Sequence, residues 1–523
     1  MTPVNANGII RRTPDRVRWL LLGTCLILRV VSLVRPCLSD DEAIYGVVAR
    51  EMLGGRVLYR DVVDHKPPLI YVTYAMTQAL GGPLGGMRVL HFITIVVVFL
   101  TALVLADIAR RLRPASEDCG PVFAALLYIL FSTTLLDFDS LAANCELFML
   151  LPLTASVALY VRGAREARVP LLVASGALVA LAMFYKYQAA IHLPLYAAHF
   201  VVTHRRRPGR VVGGVLAIGA GFIAVAGTGV GLMAAFGSLS SAWFWFRFNF
   251  AYIKEGLNPL ETLRRALVRV SFVVVAASFI WALGLREAAR LAVGRVTPNP
   301  LDPSSALFAT AWLAVSLMAI TVGGRFFGHY FHQVTAPLSV LAAPSAVDLW
   351  RRRRALVAAW IGVPVGAFFL VGIFHARVMA AVGAPDPDYD AVARFVDSHS
   401  TSSEALVVWG NSPVLYFEAE RPLGSRFVFS NYMTGLSPAT RTQSDPSVDA
   451  SANVVRESWD MLAVDFATRR PALFVDYSPG DVAGYGKFPL SRFPRLETVI
   501  TRDYTVLGEV AGARVWRRRA DAQ

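Results

Sequence analysis

Charge, cysteine and phosphate-binding glycine loops are what this sequence has least of. Only 17% of its 523 residues are Asp, Glu, Lys or Arg, against 55% apolar residues and a mean hydropathy of +0.49. So little charge excludes an ordinary soluble protein. The four cysteines, Cys25, Cys37, Cys119 and Cys145, have neither zinc-site nor disulfide-framework spacing. Cys25 and Cys145 lie in apolar runs, as packing residues do. There is no Walker loop, dinucleotide fingerprint, EF-hand or internal repeat, which argues against an ATP-driven pump. Arg11, Arg12, Arg16 and Arg18 precede an apolar run without a small-residue cleavage site. That run reads as a retained first span rather than a removed signal.

What the chain does have is long apolar stretches. They form blocks of about 16–25 residues, each able to cross a hydrocarbon core roughly 30 Å thick. Eleven spans are predicted, near 19–37, 88–108, 121–137, 144–161, 170–185, 188–203, 211–236, 267–285, 305–322, 333–349 and 355–375. Arginine collects in loops 11–18, 110–113, 162–168, 204–210, 286–295 and 351–354, which the positive-inside rule assigns to the cytoplasm. Acids and aromatics collect in 39–87, 138–143, around 186, 237–266 and 323–332, which then face outward. The net charge of +14 is therefore an orientation signal, and no nucleic acid is implied as a partner. An odd number of spans from an inside N-terminus puts the C-terminus outside.

The expected fold class is mainly α: a polytopic transmembrane helical bundle over 1–378, with outer-face interfacial helices. Residues 69–80 read as one such helix, bounded by Pro67-Pro68 and Gly81-Gly82-Pro83. The composition changes near 380. Pro385, Asp386, Pro387 and Asp388 make a linker or helix entry, and 389–399 reads as a helix capped by Asp388. Strands are predicted at 405–409, 472–477 and 506–516, the last as a hairpin. Residues 379–523 should thus form a small extracytoplasmic α/β domain.

The first outer loop concentrates the charge. Ser39-Asp40-Asp41-Glu42 opens an amphipathic segment with Ile44, Val47, Val48 and Met52 on one helical face. Such a helix lies along the membrane surface. Ser39 and Glu42 have capping-box spacing, and acids at a helix N-terminus are stabilised by its dipole. A start signal of this kind needs no function. The two roles are compatible, because a carboxylate in the first turn stays ionised, with an ordinary pKa near ~4. Asp41 is the better base for a hydroxyl, since Glu42 serves the cap; both are catalytic candidates.

The same loop carries Arg50, Arg56, Arg60 and Lys66. A cation fixed ahead of Pro67-Pro68 suits a phosphate, although a lysine snorkelling at the interface would look the same. Further candidates come from distant loops. Lys186 stands between two apolar runs, where an ionisable residue is a functional candidate unless it simply turns into water. Asp137 and Asp139 lie at the outer end of the third span, where they could order an acceptor or partner a cation, or be plain loop acids. Asn144 and Glu146 could brace a site wall through interhelical hydrogen bonds. His329 and Tyr330 end an outer loop with Arg325 nearby, and could reach a phosphate. The aromatic run 243–252 fits an interfacial belt or a groove for a prenyl tail.

These motifs, taken in order, resemble the integral-membrane glycosyltransferases of the GT-C fold. Asp41-Glu42-Ala43-x-Tyr45, Ala49-Arg50-Glu51-Met52-Leu53 and Lys66-Pro67-Pro68-Leu69 carry the likeness, with Asn144-x-Glu146, Lys186 after Ala182-Met183-Phe184-Tyr185, and Gly328-His329-Tyr330 ahead of Pro337. The pattern is most similar to bacterial protein O-mannosyltransferase-like enzymes and the lipid A aminoarabinose transferases. The resemblance implies a polyprenyl-phosphate monosaccharide donor in the bacterial cytoplasmic membrane, with the site on the extracytoplasmic face. It implies Asp41 as the catalytic acid of the first outer loop and Lys66 as a donor-phosphate contact. Lys186, His329, Tyr330 and Arg60 are the other phosphate candidates; Tyr45, His65, Asp139, Asn144 and Glu146 are candidates for supporting the site. Ile44 stands where the aminoarabinose transferases carry Arg, and His65 where they carry Glu, so donor contacts and a metal-associated position differ. Three neighbouring acids would suit a divalent cation, yet no ligand set is evident, and no cofactor is expected to be required.

A phosphate leaving group needs charge neutralisation more than a proton, so one base and several cations suffice. The chain offers that set rather than the paired carboxylates of a glycoside hydrolase. The expected reaction is inverting transfer of a hexosyl or pentosyl group to an acceptor hydroxyl on a protein, lipid or glycan. A transporter or lipid flippase is the alternative. It would place ionisable residues at mid-membrane and show matching halves, which this sequence does not. An assembly protein acting through its outer domain is a third reading.

Overall fold

The computed structural model describes residues 14–520, except 36, 114–118, 135–137, 167, 257, 294–301, 376, 378–386 and 439. Arg11, Arg12, Asp137, Pro385 and Asp386, and with them the expected boundary at 378/379, lie outside the described residues.

Apolar runs punctuated by Pro, Gly and Arg become helices of matching length. They are α1 Asp15–Val34, α2 Asp40–Leu53, α3 Leu69–Leu112, α4 Gly120–Thr133, α5 Cys145–Glu166, α6 Val169–Met183, α7 His192–His204 and α8 Pro208–Ala235. Two short aromatic helices follow, α9 Leu239–Phe246 and α10 Phe248–Gly256. Then come α11 Pro259–Ala276, α12 Ser278–Ala292, α13 Pro303–Thr321, α14 His332–Arg352 and α15 Arg354–Ile373. Each of the eleven predicted spans overlaps a described helix. By length and apolarity alone, six described helices can cross a membrane, or seven if the bent pair α11 and α12 is one span. That pair turns by 96° at Ala277, where one straight span over 267–285 is expected.

The segment 69–80 is helical as expected, but it runs into the next helix. Gly82 breaks α3 with φ 68° and ψ −173°, next to Pro83. Only glycine takes that backbone readily, so the kink sits where the sequence allows it. Helices α6 and α8 touch through small residues. A Cβ on Gly176 would lie 1.9 Å from the Ile218 carbonyl oxygen, and one on Gly221 1.9 Å from that of Val173. Such backbone contact is how apolar helices associate in lipid, where burial gives little drive.

Beyond α15 the chain forms α16 Tyr389–Ser398, β1 Leu406–Trp409, α17 Arg456–Arg469, β2 Leu473–Asp476, α18 Pro494–Asp503, β3 Tyr504–Val510 and β4 Ala513–Arg518. The Asp388 side chain caps α16 by accepting from the Ala391 N–H at 2.9 Å. The sheet order is β1-β2-β4-β3, with β1 and β2 parallel and β3–β4 an antiparallel hairpin.

The described residues form two cores. One fills the bundle from Leu21 to Val357. The other joins α2, the loop to α3 and the first half of α3 to Trp245 and the sheet. The second places α2 and the loop to α3 inside the same core as β1 and β2.

Candidate active site

Residue Ser39 starts α2 by accepting from the Glu42 N–H at 3.3 Å. This cap puts Asp41 in the first turn, pointing at Lys66. The Lys66 ammonium donates to Asp41 Oδ2 at 2.8 Å and to the Tyr45 hydroxyl at 2.7 Å, while Tyr45 donates to the same Oδ2 at 3.3 Å. Lys66 is held by its own backbone, whose carbonyl accepts from Tyr59 at 2.6 Å. Asp41 and Lys66 keep 26% and 25% of their side-chain surface open, so a substrate can reach both.

A second group of charges closes on this pair from α5, the α6–α7 turn and the loop before α14. Lys186 pairs with Glu146 and lies 3.8 Å from the Tyr330 ring centre. His329 Nδ1 meets Asp139 Oδ2, and its Nε2 lies 3.7 Å from Glu146 Oε1. Asn144 fixes Asp139 by donating to its Oδ1 at 2.8 Å. Three acids therefore alternate with three cationic groups.

These charges act on one another. Burial alone would raise the Asp41 carboxyl, but Lys66, His329 and Lys186 hold it well below the usual carboxylate range. Burial would lower His329, yet Asp139, Glu146 and Asp41 raise it above the ordinary imidazole value. Burial would also lower Lys66, and Asp41 lifts it well above its ordinary value instead. The three cationic groups thus favour the ionised form of Asp41.

Glu42 does something different. Its carboxylate is fully enclosed and accepts from the Leu38 N–H at 2.6 Å and the Ala143 N–H at 2.5 Å. Burial pushes it up to about 8 against those two donors. It ties the exit of α1 to the loop before α5, so it positions Asp41 rather than facing the opening. Two residues without a sequence motif brace that same loop. Arg29, fully buried in α1, donates to the Leu141 carbonyl at 2.6 Å, and Tyr74 to that of Ala143 at 3.0 Å. An arginine inside an apolar span was the available signal for the first; nothing in the sequence marks the second.

The remaining candidates lie at the margin. His65 turns to its neighbour Asp64, Nδ1 to Oδ1 at 3.0 Å, and Asp64 also accepts from Tyr71 at 2.6 Å. Arg60 is half exposed and pairs with the adjacent Asp61 at 2.9 Å, so the structure does not bring it to the cluster. The aromatic run divides. Trp245 is buried against Phe427 and Tyr432, whereas Trp243 and Phe250 are exposed. Among the described residues no three His, Cys, Asp or Glu side chains converge as a cation site requires.

Residues 65–229 match the family described as Dolichyl-phosphate-mannose-protein mannosyltransferase. No curated protein matches the sequence. The structure superposes on ArnT from Cupriavidus metallidurans in its apo state with TM-score 0.60 and 16% identity, over 97% of this chain and 99% of that one. For ArnT bound to undecaprenyl phosphate the values are 0.57 and 17%, over 99% of each chain. The Archaeoglobus fulgidus oligosaccharyltransferase tethered with an acceptor peptide gives 0.53 and 13%, over 96% of this chain and 72% of that one. Nearly its whole length thus shares their architecture, and the chain has the GT-C fold.

Proposed function

We propose that this chain transfers a monosaccharide from a polyprenyl-phosphate donor to an acceptor hydroxyl, with inversion. The observation that carries the reading is the open Asp41–Lys66 pair at 2.8 Å, ringed by Lys186 and His329. The acceptor oxygen attacks the anomeric carbon from the face opposite the phosphate. The acceptor proton passes to Asp41, and the bond from the anomeric carbon to the phosphate oxygen breaks. The electron pair leaves with the polyprenyl phosphate, whose new charge falls to Lys66, Lys186 and His329. Tyr330 keeps Lys186 aimed by lying against its ammonium. The donor phosphate must draw Lys66 away from Asp41, and this restores basicity to a carboxylate that the resting site suppresses. Glu42, Asn144 and Asp139 hold these groups in place. The printed relatives support a lipid phosphate as the donor's carrier, since one is bound to undecaprenyl phosphate.

The active face is extracytoplasmic in this reading. The charged cluster sits at the starts of α5 and α14, whose other ends carry the arginines. The α5 end gathers with those of neighbouring helices: Arg165 donates to the Arg111 carbonyl of α3 at 3.1 Å, Arg210 of α8 to that of Ala164 at 3.2 Å, and Arg113, just past α3, pairs with Glu287 of α12 at 2.6 Å. Arginine-rich ends face the cytoplasm. The test is purified protein supplied with a panel of radiolabelled polyprenyl-phosphate sugars and extracted envelope acceptors. Label moving to an acceptor supports the reading; lipid crossing the bilayer with its sugar bond intact would replace it with a flippase.

A further inference from the structure

The turn between α7 and α8 has a property that orientation does not require. Val202, His204, Arg205, Arg206, Arg207 and Arg210 line a cleft of about 510 Å³ that contains no acidic side chain. Arg210 is half-buried and donates to the Ala164 carbonyl at 3.2 Å, which fixes one arginine of the cleft in place. The cleft also meets the start of α8, where Arg207 offers no side-chain cap and Pro208 occupies the first turn, so the positive end of a 28-residue helix faces it. The positive-inside rule accounts for four arginines in this loop; it does not account for their lining one cleft with no acid to pair them.

Next to the cleft, α8 presents an apolar face that no described residue covers. Val212, Leu216 and Ile223 share one side of the helix and are 57%, 66% and 69% exposed. Val202, at the cleft itself, is 51% exposed. A cationic cleft opening onto an apolar track fits a ligand with an anionic head and hydrocarbon tails. We propose that this cleft binds the phosphate headgroup of an anionic phospholipid of the cytoplasmic leaflet, with its acyl chains along α8. Basic pockets at this membrane level have the chemistry to select anionic over zwitterionic heads. The inference stands apart from the proposed reaction, because the cleft lies at the opposite ends of the helices from Asp41.

The full chain in detergent, equilibrated with equal phosphatidylglycerol and phosphatidylcholine, provides the test by native mass spectrometry. Phosphatidylglycerol should be retained at least several-fold over phosphatidylcholine. Arg205→Gln with Arg207→Gln should cut that retention by roughly tenfold or more, taking about one decade or less per arginine. Arg351→Gln with Arg353→Gln removes the same charge elsewhere and should leave it unchanged. Equal retention of both lipids by the wild type overturns the proposal without recourse to any variant. An equal loss in the control pair reduces the effect to general charge and also overturns it. Complete displacement by millimolar inorganic phosphate would assign the cleft to a soluble anion instead.

Discussion

Replacing Asp41 by Asn separates a base from a structural acid, because the site makes the two effects point in opposite directions. Asn keeps the volume and an oxygen that accepts from Lys66, which lies 2.8 Å away in the wild type and retains the Tyr45 hydroxyl at 2.7 Å. Folding should therefore survive at a cost of about 1.5–3 kcal/mol at most, the range for a hydrogen bond to a charged group. The cost should be flat between about pH 5 and 8. A carboxyl held low contributes above its unfolded pKa near ~4, and loses that contribution only as pH falls further. Loss of a general base should lower kcat by about 10²–10⁴-fold. Binding of the sugar-free polyprenyl phosphate should move the other way. In the wild type the phosphate competes with Asp41 for Lys66; in the variant it does not, and about 1.4 kcal/mol, or tenfold tighter binding, is the expected scale. Single-turnover transfer and a lipid titration followed by tryptophan fluorescence measure the two quantities. A variant with kcat within about fivefold of wild type, against the 10²-fold floor, would refute the base. A variant that folds and loses activity yet binds the lipid phosphate more weakly would refute the competition for Lys66.

Three other outcomes follow from the same geometry. Glu42 takes the Ala143 and Leu38 N–H groups on separate oxygens, so Glu42→Gln keeps an acceptor for one and sets its NH2 against the other, which should cost about 1–3 kcal/mol, whereas Glu42→Ala leaves both buried donors unmet and should cost about 2–6 kcal/mol. With a folded pKa of about 8, Glu42 holds its proton where the unfolded chain releases it, so wild-type stability falls from about pH 4.5 to 8 and the Gln variant should gain relative to it across that window; parallel melting curves would end the idea. His329 is raised, so its contribution is complete below about pH 6.5 and fades as pH rises through its higher folded value; His329→Gln should flatten that alkaline decline in kcat/KM, and an unchanged profile would remove His329 from the phosphate site. Gly176→Ala should lower stability by about 1–3 kcal/mol through a clash with the Ile218 carbonyl, while Gly219→Ala, with open space around it, should not; equal melting temperatures for both would contradict the close α6–α8 contact.

Much of this fold can be read from the sequence because membrane helices are written in long apolar runs, and the arginine runs mark their ends. The Ser39 cap, the Asp388 cap and the final hairpin are legible for the same local reason, although the Glu42 side chain does not return the bond to Ser39 as a capping box would and accepts from Leu38 and Ala143 instead. Lys66 and Lys186 could be singled out even more simply: the chain has only four lysines among its 51 basic residues, and two of them meet at this site. The unreadable parts are contacts between distant residues. Glu42 reaches Ala143 across 101 positions, and Arg29 reaches Leu141 across 112. Local spacing carries no record of such partners. The 96° turn at Ala277 is silent for another reason, since Ala276, Ala277 and Ser278 include no Pro or Gly to announce a break. Arg60 misleads in the opposite sense. It has the charge and the loop of a phosphate ligand, but its neighbour Asp61 takes it.

The position of Asp41 depends on the far end of its own helix. At the C-terminal end of α2, Arg50 donates to the Arg421 carbonyl at 2.7 Å and Glu51 accepts from the Leu423 N–H at 3.0 Å. Downstream, Arg56 donates to the Leu423 carbonyl at 3.0 Å, Arg469 to that of Asp61 at 2.7 Å, and the Val63 N–H to that of Arg426 at 2.8 Å. Trp245 completes the seam by donating to the Tyr59 carbonyl at 3.0 Å, one residue type among several that fix the segment leading to Lys66. Asp41 and Lys66 thus stand at two ends of a segment whose middle is bonded to the C-terminal unit. A general base works only when held within hydrogen-bond reach of its proton, and a displacement near 1 Å can cost about 10²-fold in rate. The sheet-bearing unit therefore need not touch sugar or acceptor to matter for transfer. By holding α2 and the loop after it, that unit helps keep the carboxylate and the ammonium at 2.8 Å, the pair that the proposed donor phosphate would have to separate.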